Sequence, residues 1–448
     1  MGKPEPYVRH NIREEKQMMR KALSMLCAAS MAGMLLAGCG GSGSATTTAA
    51  PAASAAETKA EETKAEETKA EETKAEETKA EAQGEGIAKE DLKVGIIFIG
   101  DENEGYSASH INGIKAAAEK LGLAEDQVIM KTNIGEDESC LDAAEDLAAD
   151  GCQLIFATSF GHESYLMEAA QNHPELTFAH ATGYQAAASG LENFSNYFDN
   201  IYEARYVSGV VAGMKLKEMI DNGEISAADA KIGYVGAYPY AEVISGFTAF
   251  FLGVRSEVPE ATMKVLYTNS WADPAAEAET AKQLISDGCV LISQHADTTG
   301  APTSCQEEGV PCVGYNVSML SVAPDVALTS PTNNWEVYYE EAIQHVLNGE
   351  KLPVDWSKGF DVDAVRITEL GTAVAEGTEA KVEEVKNALM KGELHVFDTS
   401  TFTVDGKTVD TYAPNGVEYI ADGYFHESEA ISAPAFDMII DGIESVAN

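Results

Sequence analysis

The stretch KVGIIFIG (residues 93–100) decides the fold class, because it is a continuous apolar run that opens the regular part of the chain. Such a run is typical of a strand buried on both faces of a parallel sheet. It is followed by SASHINGIKAAAEKLGL (107–123), in which apolar residues recur at helical spacing and a glycine stands near the end. The pair predicts a strand followed by a helix, the repeating unit of α/β proteins.

The same unit recurs along the chain in two separate runs. The first run continues through the strand-like segments QVIMKTN (127–133), QLIFATSF (153–160) and LTFAHATGY (176–184), with helical segments between them. The second run comprises KIGYVGAY (231–238), KVLYTNSW (264–271), VLISQHAD (290–297) and PCVGYN (311–316), again alternating with helical segments. This pattern predicts an α/β protein with two lobes, each built on a parallel sheet.

Upstream of these runs, the sequence predicts a lipoprotein signal peptide over residues 1–38. A basic patch precedes an apolar segment, residues 22–38, that is short for a membrane span. The form Leu36-Ala37-Gly38-Cys39 resembles the bacterial lipobox, which implies that Cys39 is acylated and becomes the mature N-terminus. The alternative is an N-terminal anchor that is never cleaved.

Residues 39–90 are predicted to be a disordered tether. They begin with a tract of Gly, Ser, Thr, Ala and Pro and continue with tandem ETKAE repeats over residues 57–81. Alanine is the only apolar residue in the repeat, and a period of five keeps it off any single helix face. The segment therefore lacks the apolar surface to fold on a core and acts as a spacer.

The charge of the chain disfavours two kinds of partner. The 73 acidic and 30 basic side chains give a net charge of −43, so nucleic acids and anionic lipid surfaces are repelled. Apart from Cys27 and Cys39, the five cysteines have no C-x-x-C pair, so we expect no metal and no cofactor. Cys305 and Cys312 are close enough in sequence for a local bridge, although buried free thiols are the simpler interpretation.

Aromatic and short polar side chains gather where the predicted strands end. Ligands bind beyond the carboxyl ends of parallel strands, and this combination suits a flat, largely uncharged ligand with polar edges. The candidate binding residues at these ends are Tyr106, Ser107, Phe160, Trp271, Asp297, Tyr315, Asn316 and Trp335. His162, His180 and His295 also stand near strand ends, but the chain has no nucleophile elbow, phosphate loop or zinc-protease motif, so we expect no enzyme.

Several segments resemble the basic membrane protein (BMP) family. They include KVGIIFIG, GCQLIFATSFGH, YFDNIYEARYVSGVVAGM, KIGYVGAYPYAEVISGF, TNSWADP and LTSPTNNW, and they follow one another in family order. The family comprises lipid-anchored substrate-binding proteins of ABC importers. The resemblance implies the type I periplasmic-binding fold, with two doubly wound parallel-sheet lobes joined by a hinge, and a purine nucleoside or nucleobase as ligand.

The resemblance also implies roles for individual residues. Tyr106 and Trp271 would stack on a ring from opposite sides of the cleft, and Phe160 and Tyr197 would line it. Asp297 and Asn316 would hold polar edges or ribose hydroxyls. Nucleoside-binding relatives tend to have a carboxylate where this chain has Asn316, which weakens the expected grip on a diol and leaves nucleoside and free base both open.

We therefore expect a monomeric, lipid-anchored protein on the extracytoplasmic face of the cell membrane that hands its ligand to an ABC permease. The first lobe is expected at residues 91–199 with about 330–352, and the second at 200–329 with about 353–448. The chain would cross between them near 198–200, 328–330 and 354. An alternative is a membrane-tethered sensory receptor that presents a sugar or nucleobase to a signalling partner.

Overall fold

The structure is a computed structural model that describes residues 86–414 and 416–446. The predicted signal peptide, Cys39 and the predicted tether as far as residue 85 lie outside the described residues. The strands are β1 (Val94–Ile97), β2 (Val128–Lys131), β3 (Leu154–Ala157), β4 (Thr177–Ala181), β5 (Phe194–Tyr197), β6 (Lys231–Gly236), β7 (Thr262–Tyr267), β8 (Leu291–His295), β9 (Cys312–Val313), β10 (Pro331–Asn333), β11 (Asp355–Trp356), β12 (Val365–Ile367), β13 (Ile420–Ala421), β14 (Tyr424–Phe425) and β15 (Ile443–Val446).

The α-helices of the described residues alternate with these strands through most of the chain. They are α1 (Gly105–Leu121), α2 (Glu138–Ala149), α3 (Glu163–Asn172), α4 (Ala186–Ser189), α5 (Ile201–Asp221), α6 (Ala241–Glu257), α7 (Pro274–Ser286), α8 (Gly300–Glu308), α9 (Glu336–Asn348) and α10 (Thr378–Met390). Short 3₁₀ turns lie between several of them, including one at Phe160–His162.

The first lobe is built on a sheet of six parallel strands in the order β11-β5-β4-β3-β1-β2. All four residues of β1 and of β3 are buried, because helices cover both faces of the sheet. The continuous apolar run at residues 93–100 therefore has the structure that its pattern predicts.

The second lobe is built on a sheet of five parallel strands in the order β15-β7-β6-β8-β9. Its outer strand β15 lies at the C-terminal end of the described chain and pairs with β7 over four residues. The two parallel sheets confirm the expected α/β class. All five described cysteines are buried free thiols.

Two helices of the second lobe touch backbone to backbone. A Cβ at Gly209 of α5 would come within 2.0 Å of the Phe250 carbonyl oxygen, and one at Gly253 of α6 within 2.1 Å of the Tyr206 carbonyl oxygen. Only glycine permits this approach, so close packing explains the glycines of GVVAGM (209–214).

The chain passes between the lobes in three places. It leaves the first sheet after β5 and enters α5, which packs on α6. It returns to the first lobe between β9 and α9, since α9 packs on α1 of that lobe. It enters the second lobe again between β11 and α10, since α10 packs on α5. Strand β11 lies after residue 352, in the part of the chain expected to belong to the second lobe. It pairs with β5, so it belongs to the sheet of the first lobe.

Candidate functional site

A cavity lies at the carboxyl ends of both parallel sheets. The space in it that admits the centre of a water molecule is about 20 Å³, so the cavity is narrow in this structure. Its walls come from residues at or after the ends of strands in both lobes: Ile99, Tyr106, Thr158, Ser159, Phe160, Thr182, Glu242, Trp271, His295, Asp297 and Tyr315. Ligands of open parallel sheets bind in this position, so the cavity is the candidate binding site.

Tyr106 is held at the wall of the cavity by the first turn of α1. Glu104 caps this helix, since its carboxylate accepts hydrogen bonds from the backbone N–H groups of Tyr106 and Ser107 at 2.7 and 2.8 Å. The Tyr106 hydroxyl donates to the Thr158 carbonyl at 2.9 Å, which fixes the ring. The predicted contact Ser107 lies outside the cavity wall, because its fully buried hydroxyl accepts from the Gly100 N–H and orders the preceding loop.

A row of aromatic rings from both lobes continues from the cavity. Phe160 of the first lobe stacks on Tyr240 of the second, with ring centroids 5.2 Å apart. Tyr240 stacks on Tyr238, and Tyr238 meets Trp271 edge-on, each pair at 5.1 Å. Tyr238 and Tyr240 were not among the predicted site residues. The segment AYPY (237–240) that carries them follows β6 directly, so its position after a strand was the available signal.

Trp271 and Tyr106 line the same cavity from different lobes. Their rings make no direct contact with each other in the described structure, whereas both contact other rings. A planar ligand between the two rings would gain apolar burial and stacking.

Asp297 supplies a carboxyl group whose position is fixed by the second lobe. Its Oδ1 accepts a hydrogen bond from the Asn316 side-chain amide at 2.8 Å. Burial raises the pKa of Asp297 well above its ordinary value, and nearby carboxyl groups, Glu104 first, raise it further. The protonated form is therefore favoured, and it offers a ligand both a donor and an acceptor. Asn316 itself lies outside the wall and positions Asp297.

Glu242 and His295 add a second polar group. The sequence placed His295 near a strand end, whereas it gave no indication of Glu242. Glu242 Oε1 and His295 Nε2 lie 3.2 Å apart. Burial raises the pKa of Glu242 to about 7, and burial lowers the pKa of His295 well below its usual value. The two come from α6 and β8, far apart in sequence, so spacing alone could not pair them.

A buried arginine lies behind this wall. Arg205 of α5 is fully buried, and its Nη1 donates to the Tyr234 hydroxyl at 3.0 Å and to the Gln294 carbonyl at 2.8 Å. Its guanidinium carbon is 3.5 Å from the centroid of the Tyr315 ring. The Tyr315 hydroxyl is buried and has no partner in the described structure, which leaves a polar atom of the wall free for a ligand.

Two predicted contacts, Tyr197 and Trp335, lie in the core rather than in the cavity wall. The Tyr197 ring stacks on Tyr338 at 3.8 Å and is fully buried. Trp335 stacks on His110 at 4.2 Å, and His110 meets Tyr106 edge-on at 4.5 Å. In this structure Trp335 is linked to Tyr106 through the His110 ring, and Tyr197 packs against Tyr338 of α9.

The sequence profile described as "ABC transporter substrate-binding protein PnrA-like" (Bmp) matches residues 93–400. The chain belongs to this family. A purine-binding protein of Brucella abortus is 32% identical over 348 residues, which cover 76% of this chain and 95% of the relative. A Haloferax volcanii protein provisionally named an ABC transporter glucose-binding protein is 30% identical over 298 residues, covering 66% of this chain and 72% of that protein.

The fold is similar to those of solved substrate-binding proteins. A solute-binding protein of an Aeropyrum pernix ABC transporter superposes with a TM-score of 0.58 at 18% identity, over 68% of this chain and 93% of that one. The family resemblance and the type I periplasmic-binding fold expected from the sequence are thus confirmed.

Membership in the PnrA-like family has general consequences for this chain. A substrate-binding protein of an ABC transporter takes a small-molecule ligand and works with a permease, and the family and fold are those of solute-binding proteins rather than enzymes. Within residues 86–414 and 416–446, no helix combines the length and apolar character needed to cross a membrane.

Proposed function

We propose that this protein captures a purine nucleoside or a purine base between its two lobes and delivers it to the permease of an ABC importer. The observation that carries the proposal is the placement of Tyr106 and Trp271, which line one cavity from different lobes without touching each other. A flat ring between them would be bound by stacking and desolvation.

Polar groups around the same cavity suit the edges of such a ring. Asp297 and Glu242 are carboxyl groups with raised pKa values, and the Tyr315 hydroxyl is unpartnered in the described structure. Hydrogen bonds to these groups would fix the orientation of the ligand and discriminate between bases. The purine-binding relative from Brucella abortus adds support for this ligand class.

A sugar is the second candidate ligand, because the Haloferax volcanii relative carries a glucose-binding name. Carboxyl groups and one aromatic face also suit a sugar, whose hydroxyls donate and accept hydrogen bonds. Both faces of a purine are flat and apolar, so a purine can stack on an aromatic ring on each side. A sugar ring is puckered and carries hydroxyl groups, so its faces stack less well. The pair Tyr106 and Trp271 therefore favours the purine.

Calorimetry separates the two candidates. The purified protein is unfolded and refolded to remove carried-over ligand, and then titrated with adenosine, guanosine, inosine, their free bases and glucose. We expect micromolar or tighter binding of a purine compound and a loss on the order of 10-fold or more in Trp271→Ala and in Tyr106→Ala. Tyr424→Ala, which removes a ring stacked on His395 away from the cavity, is the matched control. Binding of glucose with no purine response would overturn the ligand assignment.

The membrane attachment is also proposed. We infer that Cys39 carries the lipid that holds the protein at the outer face of the cell membrane and that the protein works as a monomer. Mass spectrometry of the membrane fraction should find an acylated N-terminal cysteine, and Cys39→Ser should release the protein from membranes. Sedimentation of the ligand-bound protein should give the monomer mass. An uncleaved N-terminus would contradict the lipoprotein proposal.

A further inference from the structure

Glu242 is a cavity residue that has one carboxylate oxygen engaged and the other free. It is the second residue of α6, and its side chain is 12% exposed. Oε1 lies 3.2 Å from His295 Nε2, whereas Oε2 has no hydrogen-bond partner among the described residues. Because Glu242 lines the cavity, the free oxygen is an acceptor available to a bound ligand.

His295 fixes the orientation of this carboxylate. Burial and the nearby Arg205 lower the pKa of His295 well below its usual value, so the imidazole is neutral and carries one N–H. His295 Nδ1 is buried without a partner in the described structure. If the imidazole proton is on Nε2, His295 donates to Glu242 and the unpaired Nδ1 is an acceptor rather than a donor. Both oxygens of the Glu242 carboxylate then act as acceptors.

Glu242 accepts on both oxygens only when it is ionised. Burial and Glu136 raise its pKa to about 7 although Arg205 lowers it, so the ionised form predominates above about pH 7. The groups that interact with it electrostatically, from all the surrounding elements, are His295, Arg205, Glu136, Tyr106, Asp199, Tyr234, Asp297 and Tyr315. Arg205 is the permanent cation of this set. Its Nη1 is engaged by Tyr234 and Gln294, and its Nε and Nη2 have no hydrogen-bond partner in the described structure. Arg205 thus lowers the pKa of Glu242 through its charge, without a hydrogen bond to the carboxylate.

We propose that Glu242 selects the ligand by accepting a hydrogen bond from an N–H group on the edge of the base. The inference rests on the proposed function and deepens it. Purines with an amino or lactam N–H, such as adenine, hypoxanthine and guanine and their nucleosides, satisfy the free oxygen. A purine without an N–H group on that edge leaves a partly buried carboxylate unpaired, which costs affinity on the order of 10- to 100-fold.

Calorimetry with a pair of nucleosides tests this inference. Adenosine has an amino group on its base, whereas purine riboside has the same ring and sugar but no N–H on the base. We expect the refolded wild-type protein to bind adenosine roughly 10- to 100-fold more tightly than purine riboside. Glu242→Gln retains the size of the side chain and an oxygen that accepts from His295. The amide NH₂ group then takes the place of Oε2 and donates instead of accepting, so the ratio of the two affinities should fall to within about threefold.

The matched control is Glu203→Gln, which makes the same change at a buried carboxyl group outside the cavity, with a pKa also raised to about 7. It should keep the wild-type ratio. Adenosine binding should also weaken between pH 8 and pH 5.5 in the wild type and in Glu203→Gln, but not in Glu242→Gln. An equal affinity for the two nucleosides, or a ratio that persists in Glu242→Gln, would overturn the role of Glu242. Failure of every purine to bind would instead overturn the proposed function.

Discussion

The backbone N–H of Gly105, at the start of α1, donates a hydrogen bond to the carbonyl oxygen of Asp297 at 2.8 Å. Gly105 belongs to the first lobe and Asp297 to the second, so this bond joins the lobes beside the cavity. A Cβ at Gly105 would stand 3.1 Å from the same carbonyl oxygen and 3.4 Å from Asn316 Cβ. The contact between the lobes thus leaves little room for a side chain at residue 105.

Gly105→Val should hold the lobes apart. The added methyl groups require the Asp297 loop to retreat, so the lobes close less far around a ligand and affinity falls roughly 10-fold or more. Gly105→Ala should have a smaller effect, because one Cβ needs a shift of only a few tenths of an ångström. Thermal unfolding should change little in either variant. An unchanged affinity in Gly105→Val would show that closure does not use this contact.

Tyr106→Phe separates the ring from its hydroxyl. The ring remains available for stacking, but the hydrogen bond to the Thr158 carbonyl is lost. We expect the free energy of unfolding to fall by about 1 kcal/mol in urea titrations, while ligand affinity stays within about threefold of the wild type. A loss of affinity as large as that of Tyr106→Ala would mean that the hydroxyl, and not the ring, contacts the ligand.

Much of this site follows from the sequence because strand ends can be read from apolar runs. Tyr106, Phe160, Trp271, Asp297 and Tyr315 were selected in this way, and all of them line the cavity. Which side of a strand end a ring faces depends on helix packing, which apolar patterns do not encode.

The residues that the sequence missed or misplaced depend on contacts over long distances in the chain. Tyr197 and Trp335 face the core because α9 returns to pack on α1. Arg205 and Glu242 lie on helices and reach His295 only through the assembled second lobe. Likewise, the position of β15 beside β7 could not be anticipated, since no local pattern specifies a pairing across more than one hundred residues.

Gly209→Ala tests the contact between α5 and α6. The new Cβ would come within 2.0 Å of the Phe250 carbonyl oxygen, so the helices must separate. Overpacking of this kind should lower the free energy of unfolding by about 1–3 kcal/mol in denaturant titrations. Lys217→Ala on the exposed part of the same helix should change it by less than about 0.5 kcal/mol. A neutral effect of Gly209→Ala would contradict the backbone contact.

The stability of the protein should fall as the pH rises from 6.5 to 8. Burial raises the pKa of Glu203 to about 7, above the value of an unfolded chain, so the native state holds a proton that the unfolded state has already lost. That contribution to stability is present at lower pH and is lost as the pH rises through about 7. Glu427, also buried with a pKa raised to about 7, adds in the same direction.

Urea titrations at the two pH values measure this effect. Each such carboxyl group should contribute about 0.5–1 kcal/mol to the decrease, and Glu203→Gln should remove its share. The buried histidines, whose pKa values are lowered, act below pH 6.5 and leave this window unaffected. A stability that stays unchanged from pH 6.5 to 8 would show that these carboxyl groups are already ionised in the native state at pH 6.5.

The central claim is that a purine ring lies between Tyr106 and Trp271. A crystal structure of the refolded protein with adenosine tests it most directly. The account predicts the base in the cavity with one face against each of the two rings and an N–H group within hydrogen-bond distance of Glu242 Oε2. A base bound elsewhere, or a ligand that contacts only one of the two rings, would contradict it.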